Sequence, residues 1–483
     1  MKIIVLSFIF SLTVIMAPAQ VDRTFPPQPN HPQKLNVGVL IPIPMKNGMQ
    51  VYLAPVKKYP KFTISVNIEQ PNFQDEVRNE QRRILSDAYL QKKSNKYPNG
   101  EIDSIVNFKA AMLSVTNTGG TIKGMKRDVE TLLEMYSDLL FNPIIADEII
   151  SEIANEYHNE QAHKSEKTKS SFKNKFSAQD IVDSLVFGVT KQKEQPEKVH
   201  NYNDISPEDV WLFHKDRIVA NNAVVVIIGD FNEKECRKLM DKYFGHWHNG
   251  KKIINEDSKE LKKSQLVSRK IIVVNNPNAV QSNIRFSWNL EDAFTFFDNS
   301  YELEVLNKIF GESQMSFLYR NLREDKGLCY FIRSNIGTNS GGGVGGLSTT
   351  VRNDQTAYAI ENIILEMLRI RNYEVTDEDL RIAKNSLIGE HTRSLSGVAP
   401  IPYISFAMMK EKYNLPNDYL QNKVSNYYNV TKQDVLNMAQ KYIKPFECLI
   451  VVTGKTADLI GTLEKFGEVS YFTEDGKEYI VGE

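Results

Sequence analysis

Histidine and cysteine are the scarce residues of this chain: eight and three of 483. The cysteines, Cys236, Cys329 and Cys448, lie far apart. That excludes a cysteine zinc ribbon and a disulfide framework, and leaves room for one long-range disulfide at most. No two histidines have the i, i+4 spacing that puts two imidazoles on one helical face. His158 and His163 fall on different sides of a helix, and His246-Trp247-His248 is a lone pair in a polar stretch, so both read as structural. Excess charge is also missing. Lys plus Arg is 59 and Asp plus Glu 60, a net charge of -1, so no global field would hold nucleic acid. Val452-Thr-Gly454-Lys455-Thr456 imitates the end of a phosphate loop, but Leu449 stands where its first glycine belongs. Gly311-Glu312-Ser313 lacks the second glycine of a nucleophile elbow.

What is present is ordinary for a globular chain of two to four domains: 41% hydrophobic and 25% charged residues. The start departs from that pattern. Lys2 precedes an apolar run, Ile3 to Met16, and then Ala17-Pro18-Ala19. A run too short to span a bilayer, ended by an A-x-A site, reads as a signal peptide over 1–19. The expected mature chain is exported, periplasmic or secreted, without a membrane anchor. Residues 20–34 are proline-rich and polar, an irregular lead-in.

Strands are expected at Val37–Ile43, Met49–Ala54 and Phe62–Ile68, with a hairpin turn at Asn47-Gly48. A helix fits Asp75–Lys93 and a strand Phe108–Val115. Val129, Leu132, Leu133, Tyr136 and Leu140 form a helical stripe. A long helix should run from Asp147 to Ser165. Ser206-Pro207 starts another, with Ser206 as its cap. Ala223–Ile228 reads as a buried strand, and Gly341–Gly346 as a mobile hairpin between strands. The order then repeats. Phe62–Ile68 resembles Ile284–Leu290, Leu132–Met135 resembles Ile364–Met367, Ile205–Val210 resembles Val430–Val435, and Ala223–Gly229 resembles Leu449–Gly454. Four pairs in one order, about 225 residues apart, argue for a duplicated unit. The expected domains are 35–250 and 268–475. The polar stretch Asn249–Lys270 holds the linker, 251–267.

The most specific segment is Gly311-Glu-Ser-Gln-Met-Ser-Phe-Leu-Tyr-Arg-Asn-Leu322-Arg323-Glu324-Asp-Lys326-Gly327-Leu328-Cys329-Tyr330. It resembles the S-x-L-[FY]-x-x-L-R-E-x-x-G-L-x-Y pattern of the M16 peptidases, the insulinase, pitrilysin and mitochondrial processing peptidase relatives. The resemblance implies an α+β fold: two duplicated M16-type domains, each a mixed, mainly antiparallel sheet packed with helices. It also implies that Arg323 and Tyr330 contact an extended peptide beside a zinc ion. A guanidinium fork and a phenol both suit a peptide carbonyl. The plainer alternative is that the pair only staples a helix end to a strand.

Catalytic M16 chains carry H-x-x-E-H shortly before a K-Y-P segment. Lys96-Tyr97-Pro98 is present, but the motif positions hold Ile84, Asp87 and Ala88. Isoleucine and alanine cannot ligate zinc, and Asp75–Lys93 contains no histidine to replace them. Carboxylates in the Glu148–Glu166 helix, where a third ligand would lie, have nothing to complete. The resemblance therefore implies a chain without metal or catalytic residues of its own. It would be the non-catalytic subunit of a two-chain peptidase, with zinc in an H-x-x-E-H partner and Arg323 and Tyr330 contributed across the chamber. The alternative is a stand-alone pseudo-peptidase, such as a homodimer, that binds extended peptides without hydrolysis. A purely structural subunit fits export and the intact Arg323/Tyr330 pair less well.

Overall fold

A computed structural model describes residues 39–155 less 58, 71–76, 91–92, 149 and 154; 205–253; 266–290 less 267; 300–395 less 340–341; and 401–479 less 413–414 and 475. The expected signal peptide, His31, His158, His163 and His200, and much of the linker lie outside these residues.

In the first unit β1 (Ile41–Pro44), β2 (Gln50–Pro55) and β3 (Lys61–Ile68) precede α1 (Val77–Tyr89) and α2 (Glu101–Phe108). Then come β4 (Met112–Thr116), β5 (Gly119–Met125), α3 (Val129–Phe141), α4 (Pro207–Arg217), β6 (Ala223–Gly229) and α5 (Glu233–Phe244). Helix α2 departs from expectation. Phe108 ends a helix instead of starting a strand, because Ile102, Ile105 and Val106 turn one helical face toward the core. The six-stranded sheet runs β1-β2-β6-β3-β5-β4. The apolar run of β6 lies inside it, parallel to β2 and antiparallel to β3. A run buried on both faces belongs at such a central position.

The second unit holds β7 (Lys270–Asn275), β8 (Gln281–Leu290), α6 (Ser300–Asn307), β9 (Cys329–Asn339), β10 (Gly342–Arg352), α7 (Thr356–Asn372) and α8 (Asp377–Ser394). These are followed by α9 (Ile401–Lys412), α10 (Tyr419–Asn429), α11 (Lys432–Tyr442), β11 (Leu449–Gly454), β12 (Glu468–Phe472) and β13 (Glu478–Tyr479). Its sheet runs β13-β12-β7-β11-β8-β10-β9. Thus β2-β6-β3-β5-β4 of one sheet is repeated as β7-β11-β8-β10-β9 of the other, with one parallel pair and three antiparallel pairs each. All four sequence pairs fall on matching elements. Ser206 with Asp209, and Thr431 with Asp434, form the same reciprocal cap on α4 and α11.

The expected hairpin joins β9 and β10, and Gly341 lies outside the described residues. Gly343, Gly345 and Gly346 are paired within β10. A Cβ on Gly345 would come within 2.0 Å of the Trp288 Nε1, so glycine there makes room for the indole. Trp288 in turn donates to the Tyr442 carbonyl at 2.7 Å.

Each sheet has its own core, but the units also share one. Tyr403, Phe406 and Ala407 of α9 pack with Leu40, Tyr52, Ala54, Val226 and Ile228 on the first sheet. The head of the linker is held as well. The Asn221 amide pairs with the Gly250 backbone at 2.8 and 3.0 Å, and Asn222 bridges Lys251 and Ile253 at 3.0 Å. The cysteines are free and buried, Cys236 and Cys448 with thiols pushed up to about 12 by burial, so the long-range disulfide is not formed.

Candidate functional site

Arg323 and Tyr330 meet at the start of β9, the edge strand of the second sheet. The chain reaches them through a short helical stretch, with Ser316 capping it at the Tyr319 N–H and wide turns over Arg320–Asp325. Gly327 then takes φ +60°, the left-handed conformation a helix exit favours. Two backbone bonds close the exit: Gly327 N–H to the Arg323 carbonyl, and Leu328 N–H to the Leu322 carbonyl. This turns Arg323 back toward the strand. Its guanidinium lies 4.7 Å from the Tyr330 ring centre and 4.9 Å from that of Tyr319, between two phenols. It donates to the Tyr330 carbonyl. One donor therefore staples helix end to strand, as the plainer reading requires. The Arg323 Nε faces Glu324 at 3.7 Å, and the Tyr330 side chain is 81% exposed.

Two features escaped sequence reasoning. Tyr319 stands four residues before Arg323, a helical spacing that could have indicated the stacking. The other is a register shift in β9. Ile332 pairs with Thr349 and Cys329 with Val351, so Tyr330 and Phe331 are bulged. A bulge breaks strict alternation, and both neighbouring aromatics are exposed. The Thr349 hydroxyl, donating to the Phe331 carbonyl at 2.7 Å, pins it.

Ile84, Asp87 and Ala88 lie on α1, beside β4, the edge strand of the first sheet. Ile84 and Ala88 pack against a small core containing Leu85, Tyr89, Ile150 and Ile153. Asp87 accepts the Asn117 backbone N–H at 2.8 Å and pairs with Arg83 at 3.4 Å. Asn117 answers by donating to the Arg83 carbonyl at 3.2 Å. Burial raises the Asp87 pKa, opposed by the Asn117 N–H and Arg83. These positions do not fit a zinc ion: two side chains lack a donor atom, and the third clasps α1 to the β4–β5 turn. Among the described residues no group of three or more histidines, cysteines and carboxylates is placed to hold a metal.

The described histidines have structural partners. His214 faces the Leu140 carbonyl at 2.7 Å, His391 the Leu420 carbonyl at 2.8 Å and His248 the Lys215 carbonyl at 3.0 Å. His246 lies edge-on to Phe141.

The duplicated α+β unit thus has a first helix without histidine or cysteine and an arginine–tyrosine pair on the second sheet edge. Comparison with known proteins places the fold. Residues 204–387 match the family model described as the peptidase M16 inactive domain. A crystal structure of a peptidase M16 inactive domain from Pseudomonas fluorescens aligns with TM-score 0.67 and 16% identity, over 87% of this chain and 98% of that one. The first half of the periplasmic protease PqqL from Escherichia coli aligns with TM-score 0.61 and 12% identity, over 88% and 96%. Against the longer PqqL structure, 93% of this chain covers 52% of that one, at TM-score 0.61 and 11% identity. A Bacillus subtilis protein named probable inactive metalloprotease YmfF is 20% identical over 245 residues, 50% of this chain and 55% of that protein. The match thus spans little more than half of that relative's length. Over residues 204–387 the chain is thus similar to the peptidase M16 inactive domain, and its fold is that of the M16 inactive-domain structure. Among the described residues no helix is long and apolar enough to cross a membrane.

Proposed function

We propose that this chain is the non-catalytic subunit of an exported two-chain M16 peptidase. A partner carrying H-x-x-E-H holds the zinc, and this chain supplies Arg323 and Tyr330 to an extended peptide. One observation carries the reading. Among the described residues the motif positions Ile84 and Ala88 carry no metal donor, while the Arg323–Tyr330 pair is assembled on a sheet edge. The likeness of the chain to one half of the longer PqqL supports a missing second half. The 1–19 segment supports export, and we keep 35–250 and 268–475 as the domain bounds. The peptide would add main chain to main chain along β9, with Arg323 and Tyr330 donating to its carbonyls. A stand-alone pseudo-peptidase that only grips peptides is the second reading, and the donor-poor groove favours it equally.

The test is peptide hydrolysis by this chain alone and mixed with the H-x-x-E-H chain from the same source. Turnover is expected only in the mixture. Arg323→Ala should lower it about 10–150-fold, the loss of a charged donor, and Tyr330→Phe about 2–12-fold. Full turnover in both variants would remove the pair from function. A large drop in melting temperature for Arg323→Ala, with turnover lost in proportion to unfolding, would leave only the staple. Binding without turnover in every mixture would select the second reading.

A further inference from the structure

Strict alternation along β9 would turn Tyr330 into the core. Ile332 and Ile336 lie in the second core and Ser334 is buried, so the even-numbered positions of this strand face inward. Position 330 shares that parity, yet Tyr330 is exposed. The bulge makes the difference. Between the pairs Cys329–Val351 and Ile332–Thr349, β9 has two residues, Tyr330 and Phe331, where β10 has one, Thr350. Cys329 and Ile332 are thereby both placed in the core, and the two rings between them are exposed.

A bulge disrupts the ladder, so other groups must hold it. The carbonyls of both bulged residues accept from side chains: that of Tyr330 from Arg323, and that of Phe331 from the Thr349 hydroxyl at 2.7 Å. Cys329 is hydrogen-bonded to the same hydroxyl. Thr349 thus ties the residue before the bulge to the second residue within it. Its side chain is fully buried on β10, so it can act on a peptide only through the pose of β9.

We infer that Thr349 is a positioning residue for Tyr330: its hydroxyl fixes the bulge that aims the phenol at a peptide on the sheet edge. The inference rests on the reading that extended peptides dock on this edge. Without the hydroxyl the Phe331 carbonyl loses its side-chain donor, and the bulge keeps only its tie to Arg323. Regular pairing from Ile332 onward would then set Tyr330 opposite Val351. A slip of one residue turns a side chain to the other face of the sheet, and the phenol would leave the peptide side.

The test sets a loss of the hydroxyl against its conservative rescue. Thr349→Val removes the hydroxyl and keeps the shape, and Thr349→Ser keeps the hydroxyl. A fluorescein-labelled octapeptide of alternating alanine and threonine is titrated against each full chain by anisotropy, below its melting range. Thr349→Val should weaken binding about 2–12-fold, as Tyr330→Phe should, and Thr349→Ser should bind like the unaltered chain. In the Tyr330→Phe background Thr349→Val should add little, because both changes act through one phenol. Nitration of Tyr330 by tetranitromethane, read by peptide mapping, should fall in Thr349→Val and hold in Thr349→Ser. Unchanged binding or nitration in Thr349→Val, a loss that Thr349→Ser shares, or losses that multiply in the double variant would overturn the positioning role. The peptide-edge reading would still stand if Tyr330→Phe and Arg323→Ala weakened binding. Binding of no peptide by the unaltered chain would overturn both.

Discussion

The two units share a backbone plan and differ in what their first helices present. In the first, α1 turns Ile84 and Ala88 into a small apolar core and spends Asp87 on the β4–β5 turn. In the second, α6 and the turn after it put Lys308, 4% exposed in its side chain, between Glu312 and Glu390. The first helix of one copy is thus packed into an apolar cluster and clasped by Asp87, whereas that of the other borders a charged cleft. Sheet order, parallel pair and helix caps are set by core burial and backbone hydrogen bonding. Groove side chains bear little of that load and diverge more freely. A duplicated scaffold can therefore carry different side chains at matching places without changing its sheet order.

The widest expected gap between the units lies at one matched core position. Val66 on β3 corresponds to Trp288 on β8, and both are fully buried. Each faces a glycine across the sheet, Gly120 and Gly345. Trp288→Ala should cost about 3–5 kcal/mol, because it opens a large cavity and strands the Tyr442 carbonyl. Val66→Ala should cost about 2 kcal/mol. Urea unfolding midpoints at unchanged slope would measure both. Equal losses would mean that the tryptophan does not set the second core apart.

A second gap concerns acid. His214 on α4 corresponds to Ala439 on α11, and both are buried. Burial pushes the His214 pKa down to about 4, only partly offset by its bond to the Leu140 carbonyl. The unfolded chain, with an ordinary imidazole near 6.5, binds the proton more readily. The His214 contribution is therefore complete above pH about 6.5 and falls away as pH drops toward about 4, by roughly 3 kcal/mol at most. His391, buried on α8 and also shifted down by burial, adds in the same direction. Melting temperature should fall between pH 7 and 4, and His214→Gln should flatten that slope. An unchanged slope would take the acid sensitivity away from the first unit.

Much of the plan was legible in the sequence because burial and capping leave periodic marks. The β6 run, the α3 stripe, the Ser206 cap and the repeat in β8 and β11 all fell on their elements. Helix α2 was not foreseen, and the strand expected from Phe108 begins only at Met112. The glycine tract was read as a hairpin between strands, which β9 and β10 form, but the reason for glycine at 345 is the Trp288 ring one strand away, which local chemistry does not show. At the site, Arg323 and Tyr330 were singled out by the resemblance to the M16 pattern, not by spacing. The bulge at Tyr330–Phe331, the Tyr319 stack and the second-unit cleft were not, since each depends on neighbours distant in sequence or on register. The linker was read as polar, and its anchoring by Asn221 and Asn222 again needed the fold. Because α9 packs on the first sheet, a nick in the linker should leave the halves associated.

The smallest effect is the sharpest test of the duplication. Ser206 accepts the Asp209 N–H at 3.2 Å, and Asp209 returns to the Ser206 N–H at 3.2 Å. Thr431 and Asp434 repeat the exchange at 3.1 and 2.8 Å. Both caps open helices that lead directly into the central strands β6 and β11. If the units are equivalent at this level, Ser206→Ala and Thr431→Ala should each cost about 1 kcal/mol, and together about 2. The sites lie in different units, so additivity is the expectation rather than an assumption. A loss confined to one cap would show that the other helix is held by packing alone, and that matching hydrogen bonds at a duplicated site do not carry matching energy.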